Sequence, residues 1–178
     1  MNDLLERLPA DWSLPMILVQ HRSREQRDLL EEVLQAKSSL PVKQVEEKQR
    51  VAPGVIHVAP PDYHLLVEKD KTFSLTIDAP VRYSRPSIDV TFVSSAQVWG
   101  RSLVGIILTG SNADGAAGIT AITEAGGLSI AQDPEEALFP AMPKAAIATG
   151  AVQEVLKLNE IATLLIKLGN HDRKPNPS

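Results

Sequence analysis

Two rhythms of apolar and polar positions run through the chain. Leu4, Leu5 and Leu8 recur at helical spacing and Pro9 closes the run, which predicts a short helix over 2–8. Pro15 to Gln20 is a nearly unbroken apolar stretch, read as a buried strand ending on His21, Arg22 and Ser23. Leu29, Leu30, Val33 and Leu34 return to helical spacing, with Ser23 the expected N-cap of a helix over 24–37. From Pro41 to Val81 the period drops to two, with turns at 52–54, 60–62 and 69–71, which predicts short strands in antiparallel hairpins at a sheet edge. Ser87 then reads as the N-cap of a helix through Val98, with Ile88, Phe92 and Val93 facing inward and Gly100 ending it.

The stretch from Gly105 to Gly118, G-I-I-L-T-G-S-N-A-D-G-A-A-G, organises the remainder. An apolar strand at 106–108 meets a polar loop and then an alanine-rich helix over 116–125. Gly126-Gly127 turns the chain into a further strand over 128–131, ending on Gln132, Asp133 and Pro134. A short helix with Pro143 at its first position, a last strand through Val152, Val155 and Leu156, and a helix capped by Asn159 complete the pattern. Strand, turn and helix alternate as in an α/β fold. One domain over 1–170 is expected, and 171–178, with two prolines and no apolar residue, reads as a disordered tail. The first helix is out of place, because a strand should precede it in such a fold.

Composition narrows the classes of function. A net charge of -4 supplies no overall electrostatic reason to bind nucleic acid or an anionic membrane. The absence of cysteine excludes disulfides, thiolate metal sites and cysteine catalysis, and fits a reducing compartment. No apolar run approaches the ~20 residues of a membrane span and the start is not a signal peptide, so a cytoplasmic protein is expected.

In open α/β sheets ligands bind beyond the carboxyl ends of the strands, where Thr109, Gly110, Ser111, Asn112 and Asp114 cluster. An Asx-type turn capping the next helix would account for one of these residues, not for all of them. His21 lies beyond another strand that should be central. An imidazole held by a buried carboxylate is the base half of a hydrolytic triad, with Asp114 fixing the tautomer and His21 moving the proton. The alternative for His21 is a capping or surface histidine. A metal held by His57, Asp62 and His64 is not expected, because no clear further ligand accompanies them. Glycines at 105, 110, 115 and 118 fit neither a P-loop nor a dinucleotide fingerprint, so no nucleotide or other cofactor is expected.

Several motifs in one order carry a resemblance. Val19-Gln20-His21, the block from Val55 to His64, Arg85-Pro86-Ser87-Ile88-Asp89-Val90, the stretch 105–118, Leu128 to Gln132, Met142-Pro143 and Gly150 to Leu156 resemble the catalytic domain of chemotaxis protein-glutamate methylesterases of the CheB type. The likeness runs from about Leu4 to about Leu168 and is similar to forms without a receiver domain. It implies a doubly wound, mostly parallel sheet with an antiparallel hairpin region in a three-layer αβα fold. It also implies hydrolysis of glutamyl methyl esters on receptor helices or related signalling proteins, with deamidation of receptor glutamines.

By position, His21 matches the family's catalytic histidine and Asp114 its aspartate. Thr109, Gly110, Ser111 and Met142 match the lining of its pocket, Ser111 standing where a methionine is common. The family carries its nucleophile in a G-A-S-x-G-G turn between the first strand and first helix. This sequence opens at that helix, so the first strand and the serine are expected ahead of Met1. Ser23 and Ser111 do not sit on such a sharp turn. The alternative is a catalytically silent binding or regulatory module of the same fold.

Overall fold

In the computed structural model, residues 1–22 and 29–171 are described. The apolar periodicities become strands β1 (Met16–Leu18), β2 (Val42–Gln44), β3 (Ile56–Val58), β4 (His64–Val67), β5 (Phe73–Thr76), β6 (Val104–Ile107), β7 (Leu128–Gln132) and β8 (Glu154–Leu156). The helices are α1 (Asn2–Leu5), α2 (Leu30–Gln35), α3 (Ile88–Trp99), α4 (Ala116–Glu124), α5 (Ala141–Ala148) and α6 (Leu158–His171).

Strands β1, β3 and β2 form one parallel sheet in that spatial order, with both Met16 and Val42 opposite Ile56. Strands β6, β7 and β8 form a second parallel sheet, Val104 opposite Leu128 and Ile130 opposite Glu154. Among the described strands β4 and β5 alone pair antiparallel, with His64 opposite Thr76, beside isolated antiparallel bridges at Arg50–Thr72 and Val81–Ser84. The expectation of hairpins throughout 41–81 is thus corrected for β2 and β3. Alternation shows that a segment is extended with one face buried, not the direction of its partner.

The layers follow from the pleat, which sends successive side chains to opposite faces. Ile106 packs into a cluster with Leu4, Leu5, Leu8, Ile161 and Leu165 from α1, α6 and the segment after α1. Its neighbour Ile107 packs into another with Ile88, Ile119, Ile122, Met142 and Ala146 from α3, α4 and α5. Helices therefore cover both faces. Burying each of Leu4, Leu5 and Leu8 contributes about 1.5–3 kcal/mol. β1 is half-buried rather than buried as expected, and β1 and β6 each end their sheet among the described residues. Met16, Leu18, Val104 and Ile106 from these two strands nevertheless share one cluster, which brings the carboxyl ends of β1 and β6 to one place.

Several local expectations change. In α3, Val93 is exposed while Asp89, Thr91, Ser94 and Ser95 are buried, the polar atoms of Asp89, Thr91 and Ser94 finding partners. Thr91 Oγ1 donates to the Leu65 carbonyl at 2.7 Å, and Ser94 Oγ accepts from Val67 N–H at 3.1 Å. In α5, Pro143 is the third residue, not the first. In α6, Asn159 is a helical residue rather than the cap, and Glu160 accepts the Lys157 N–H at 2.8 Å in its place. Ser23 and nearly all of the expected tail lie outside the described residues.

Candidate active site

The loops leaving β1 and β6 meet at a hydrogen bond of 2.7 Å between His21 Nε2 and Asp114 Oδ2. Asp114 is fully buried and sits where its carboxylate also collects donors from the start of α3. Oδ1 accepts from Ser87 Oγ at 2.8 Å and from Asp89 N–H at 3.1 Å, and Oδ2 accepts from Ile88 N–H at 2.7 Å. Burial alone would push the Asp114 carboxyl up. The hydrogen bonds from His21, the Ile88 and Asp89 amides and Ser87 outweigh it and hold the group below its ordinary value. Asp114 is therefore an ionised acceptor with every donor aimed inward.

Capping in this region is exchanged between helices. Ser87 holds the expected N-cap position of α3, yet its hydroxyl donates to Asp114, whose carboxylate takes the first amide protons of that helix. Asp114 does not cap α4, the helix it precedes. The Asp89 carboxylate of α3 does so, accepting the Gly118 N–H at 2.7 Å. A helix N-terminus favours a negative charge, so each acidic residue stabilises the neighbouring helix. Burial, helped by the nearby Asp114 charge and opposed by the hydrogen bond from the Gly118 amide, raises the Asp89 carboxyl above its ordinary value. Arg82, 3.6 Å away, offsets part of that. Gly115 permits the junction, because its φ of +97° suits glycine and a side chain there would run into Ile107 and Ile88.

His21 is the less enclosed partner, its side chain 27% exposed. Its other ring nitrogen, Nδ1, lies 3.3 Å from Asn112 Nδ2, and Asn112 Oδ1 accepts the Asp114 N–H at 3.0 Å. Thr109 and Gly110 are fixed from below. Gln132 Oε1 accepts Thr109 N–H at 2.9 Å, and Gly110 exchanges backbone hydrogen bonds with Phe139 and Met142, each 2.9 Å. Met142 is buried against Gly110, so close that an added Cβ would stand 2.5 Å from its Cε. Ser111 is exposed on the loop.

Of the residues singled out in the sequence, His21 and Asp114 touch, Thr109, Gly110 and Met142 form one support, and Ser111 lies on its rim. The roles of Ser87 and Gln132 carry no local signal, since each acts on a partner from another segment; Asn112 has the local signal of an Asx-type turn onto Asp114, but its contact with the His21 ring is met only in the fold. His57 and His64 are buried separately, bonded to the backbone of Ala52 and Ala79. Among the described residues no group of three or more His, Cys, Asp or Glu could hold a metal. A groove of about 350 Å³ along α3 and β4 shares only Asp89 with this network.

Comparison with known proteins places these residues in context. Residues 1–165 match the CheB methylesterase family model. A Leptospira interrogans protein, named provisionally as a protein-glutamate methylesterase/protein-glutamine glutaminase, is 42% identical over 172 residues, covering 97% of this chain and 89% of its own length. A protein of Carboxydothermus hydrogenoformans, named protein-glutamate methylesterase/protein-glutamine glutaminase 1, is 37% identical over 91% of this chain. This chain spans 49% of that relative. The crystal structure of the Thermotoga maritima CheB methylesterase catalytic domain superposes with a TM-score of 0.87 at 30% identity, covering 94% of this chain and 92% of that one.

Proposed function

The chain belongs to the CheB methylesterase family, and from that premise we propose that it serves hydrolysis of γ-glutamyl methyl esters on chemoreceptor-type signalling proteins, with His21 as general base and Asp114 as its orienting carboxylate. Relatives named as methylesterases are carboxylic ester hydrolases. The observation that carries the proposal is the 2.7 Å contact between His21 Nε2 and a buried carboxylate kept ionised by its donors.

With Nε2–H given to Asp114, the lone pair of Nδ1 is the proton acceptor. A serine hydroxyl loses its proton to Nδ1 as its oxygen attacks the ester carbonyl. The imidazolium, stabilised by Asp114, then protonates the leaving methoxide and methanol departs. Water repeats the sequence on the acyl-serine, releasing glutamate and restoring the hydroxyl. A glutamine side chain follows the same course with ammonia as the leaving group. The serine is that of the family's G-A-S-x-G-G turn. Thr109, Gly110 and Ser111 line the approach to the pair, and Met142 supports them. The substrate is a methylated receptor helix or related signalling segment met in the cytoplasm, and no cofactor takes part. No described helix is long and apolar enough to cross a membrane.

The test uses the protein isolated from its own source, its intact mass and N-terminal peptide determined, and methanol release measured from a methyl-esterified receptor. A serine turn in that peptide, methanol release, and a fall of about 10⁶ in kcat for His21→Ala are expected. Full activity in a folded His21→Ala variant would refute the role of His21. The second reading, a catalytically silent module, is favoured by one observation: the Asn112 amide occupies the Nδ1 side of the His21 ring at 3.3 Å. A natural mass beginning at Met1 together with no methanol release would establish it.

A further inference from the structure

Asn112 has no part in the mechanism above, although its side chain reaches three groups around the site. Oδ1 accepts the Asp114 N–H at 3.0 Å, while Nδ2 lies 3.3 Å from His21 Nδ1 and 3.4 Å from Ser84 Oγ. The first contact settles the orientation of the amide. A backbone N–H can only donate, so the atom facing Asp114 is the carbonyl oxygen and the atom facing His21 is the NH₂. An NH₂ group offers only hydrogens, so the ring nitrogen opposite it must present a lone pair. Nδ1 is thus the unprotonated nitrogen, and Nε2 carries the hydrogen given to Asp114. The ring is held at both ends, and rotation about its Cβ–Cγ bond would break both contacts together.

Nδ1 has a single in-plane lone pair. A hydroxyl that delivers a proton to it must arrive along the direction now used by the Asn112 N–H, so the two contacts exclude one another. At 3.3 Å the Asn112 contact lies beyond the usual 2.7–3.2 Å range of such bonds and is readily exchanged for a shorter one. We propose that Asn112 is a positioning residue that keeps His21 aimed with its Nδ1 lone pair forward and yields that lone pair to the incoming hydroxyl. This rests on the reading of His21 as the proton-transferring group. It adds a selectivity step to the site, because only a donor that out-competes a neutral amide engages the base.

The experiment uses the full chain labelled with ¹⁵N-histidine, the His21 signals being assigned with His21→Gln. At pH 7 the wild type shows Nε2 protonated and Nδ1 as a lone-pair nitrogen shifted by an accepted hydrogen bond. In Asn112→Ala, Nδ1 moves toward the position of a free lone-pair nitrogen. Carbethoxylation of His21 by diethyl pyrocarbonate, followed by peptide mass, accelerates about three- to tenfold, as expected for losing one ordinary hydrogen bond.

Asn112→Asp keeps an oxygen for the Asp114 N–H but places a second oxygen opposite Nδ1. A lone pair on Nδ1 then faces an acceptor instead of a donor, so the Nδ1 signal leaves its wild-type position and carbethoxylation slows. A purely structural Asn112 would leave the ring signature at its wild-type value in this isosteric variant. Unchanged Nδ1 shift and unchanged carbethoxylation in both variants overturn the proposal. Should Asn112→Ala disturb the loop, the Asp114 amide signal reports it and Asn112→Asp decides alone. These readouts need no substrate, so failure of ester hydrolysis with an intact Nδ1 signature counts against the proposed function and not against the contact.

Discussion

Replacing Asp114 by Asn tests the site and the fold together, because the substitution preserves shape and removes only acceptor capacity and charge. The native carboxylate offers two acceptor oxygens, and each meets one side-chain donor and one backbone donor: Ser87 and Asp89 at Oδ1, His21 and Ile88 at Oδ2. An asparagine has one acceptor oxygen and one NH₂. If its oxygen stays with Ile88 and His21, the Asp89 N–H faces another donor; if the amide turns over, the Ile88 N–H does. Either way one buried backbone donor at the start of α3 loses its partner, costing about 1–3 kcal/mol. Loss of the negative charge at that helix N-terminus adds about 0.3–1 kcal/mol. The sum is roughly 1.3–4 kcal/mol at neutral pH, or a fall in Tm of about 3–16 °C for a chain of this size.

The difference should depend on pH in a known direction. Asp114 titrates below its ordinary value of 3.8 in the folded protein, so its stabilisation is present above about 3.8 and is lost as pH falls through the folded value. Urea titrations at neutral and acidic pH would therefore show the wild type and Asp114→Asn converging as the acid limb is descended. For the proposed ester hydrolysis kcat would fall by about 10⁴, as when a triad carboxylate is neutralised. A stability change below about 0.5 kcal/mol at pH 7, or a gap that widens on acidification, would refute the account of Asp114 as a fully engaged, ionised acceptor.

Other outcomes follow from single contacts. His57 is fully buried, and burial pushes it below its ordinary value of 6.5. The unfolded chain therefore takes up that proton first, and stability should fall by up to about 1.4 kcal/mol per unit as pH drops below 6.5, levelling off under the folded value; His57→Gln should flatten this limb of a urea-midpoint profile. Gly110→Ala would set a Cβ 2.5–2.9 Å from Met142 atoms and destabilise by about 1–3 kcal/mol. Adding Met142→Ala should cost less than the sum of the single changes, and strict additivity would show that the two residues do not clash. Tyr83 holds a φ of 63° while its side chain is fully exposed, so Tyr83→Gly should stabilise by about 1 kcal/mol; a lower Tm would argue against stored strain at that turn.

Much of the architecture was legible in residue order alone. Leu4, Leu5 and Leu8 announced a buried face, the run through Ile106 and Ile107 a two-faced strand, and the polar loop from Thr109 to Asp114 a candidate site at a strand's carboxyl end. The first two signals are local, since periodicity records which side of an element meets the core, and the loop remains a candidate site. Directions of pairing were not legible: β2 and β3 alternate like hairpin strands and lie parallel. Nor was the exchange of caps, in which Asp114 serves α3 and Asp89 serves α4. His21 and Asp114 stand 93 residues apart, and the sequence could supply only their chemical types and their places at strand ends. That their atoms meet at hydrogen-bond distance, and that Asn112 takes the remaining ring nitrogen, was decided by the folded packing of β1 and β6. Hydrophobic burial sets which faces turn inward, whereas a hydrogen bond depends on separations of a few tenths of an ångström that only the assembled layers fix.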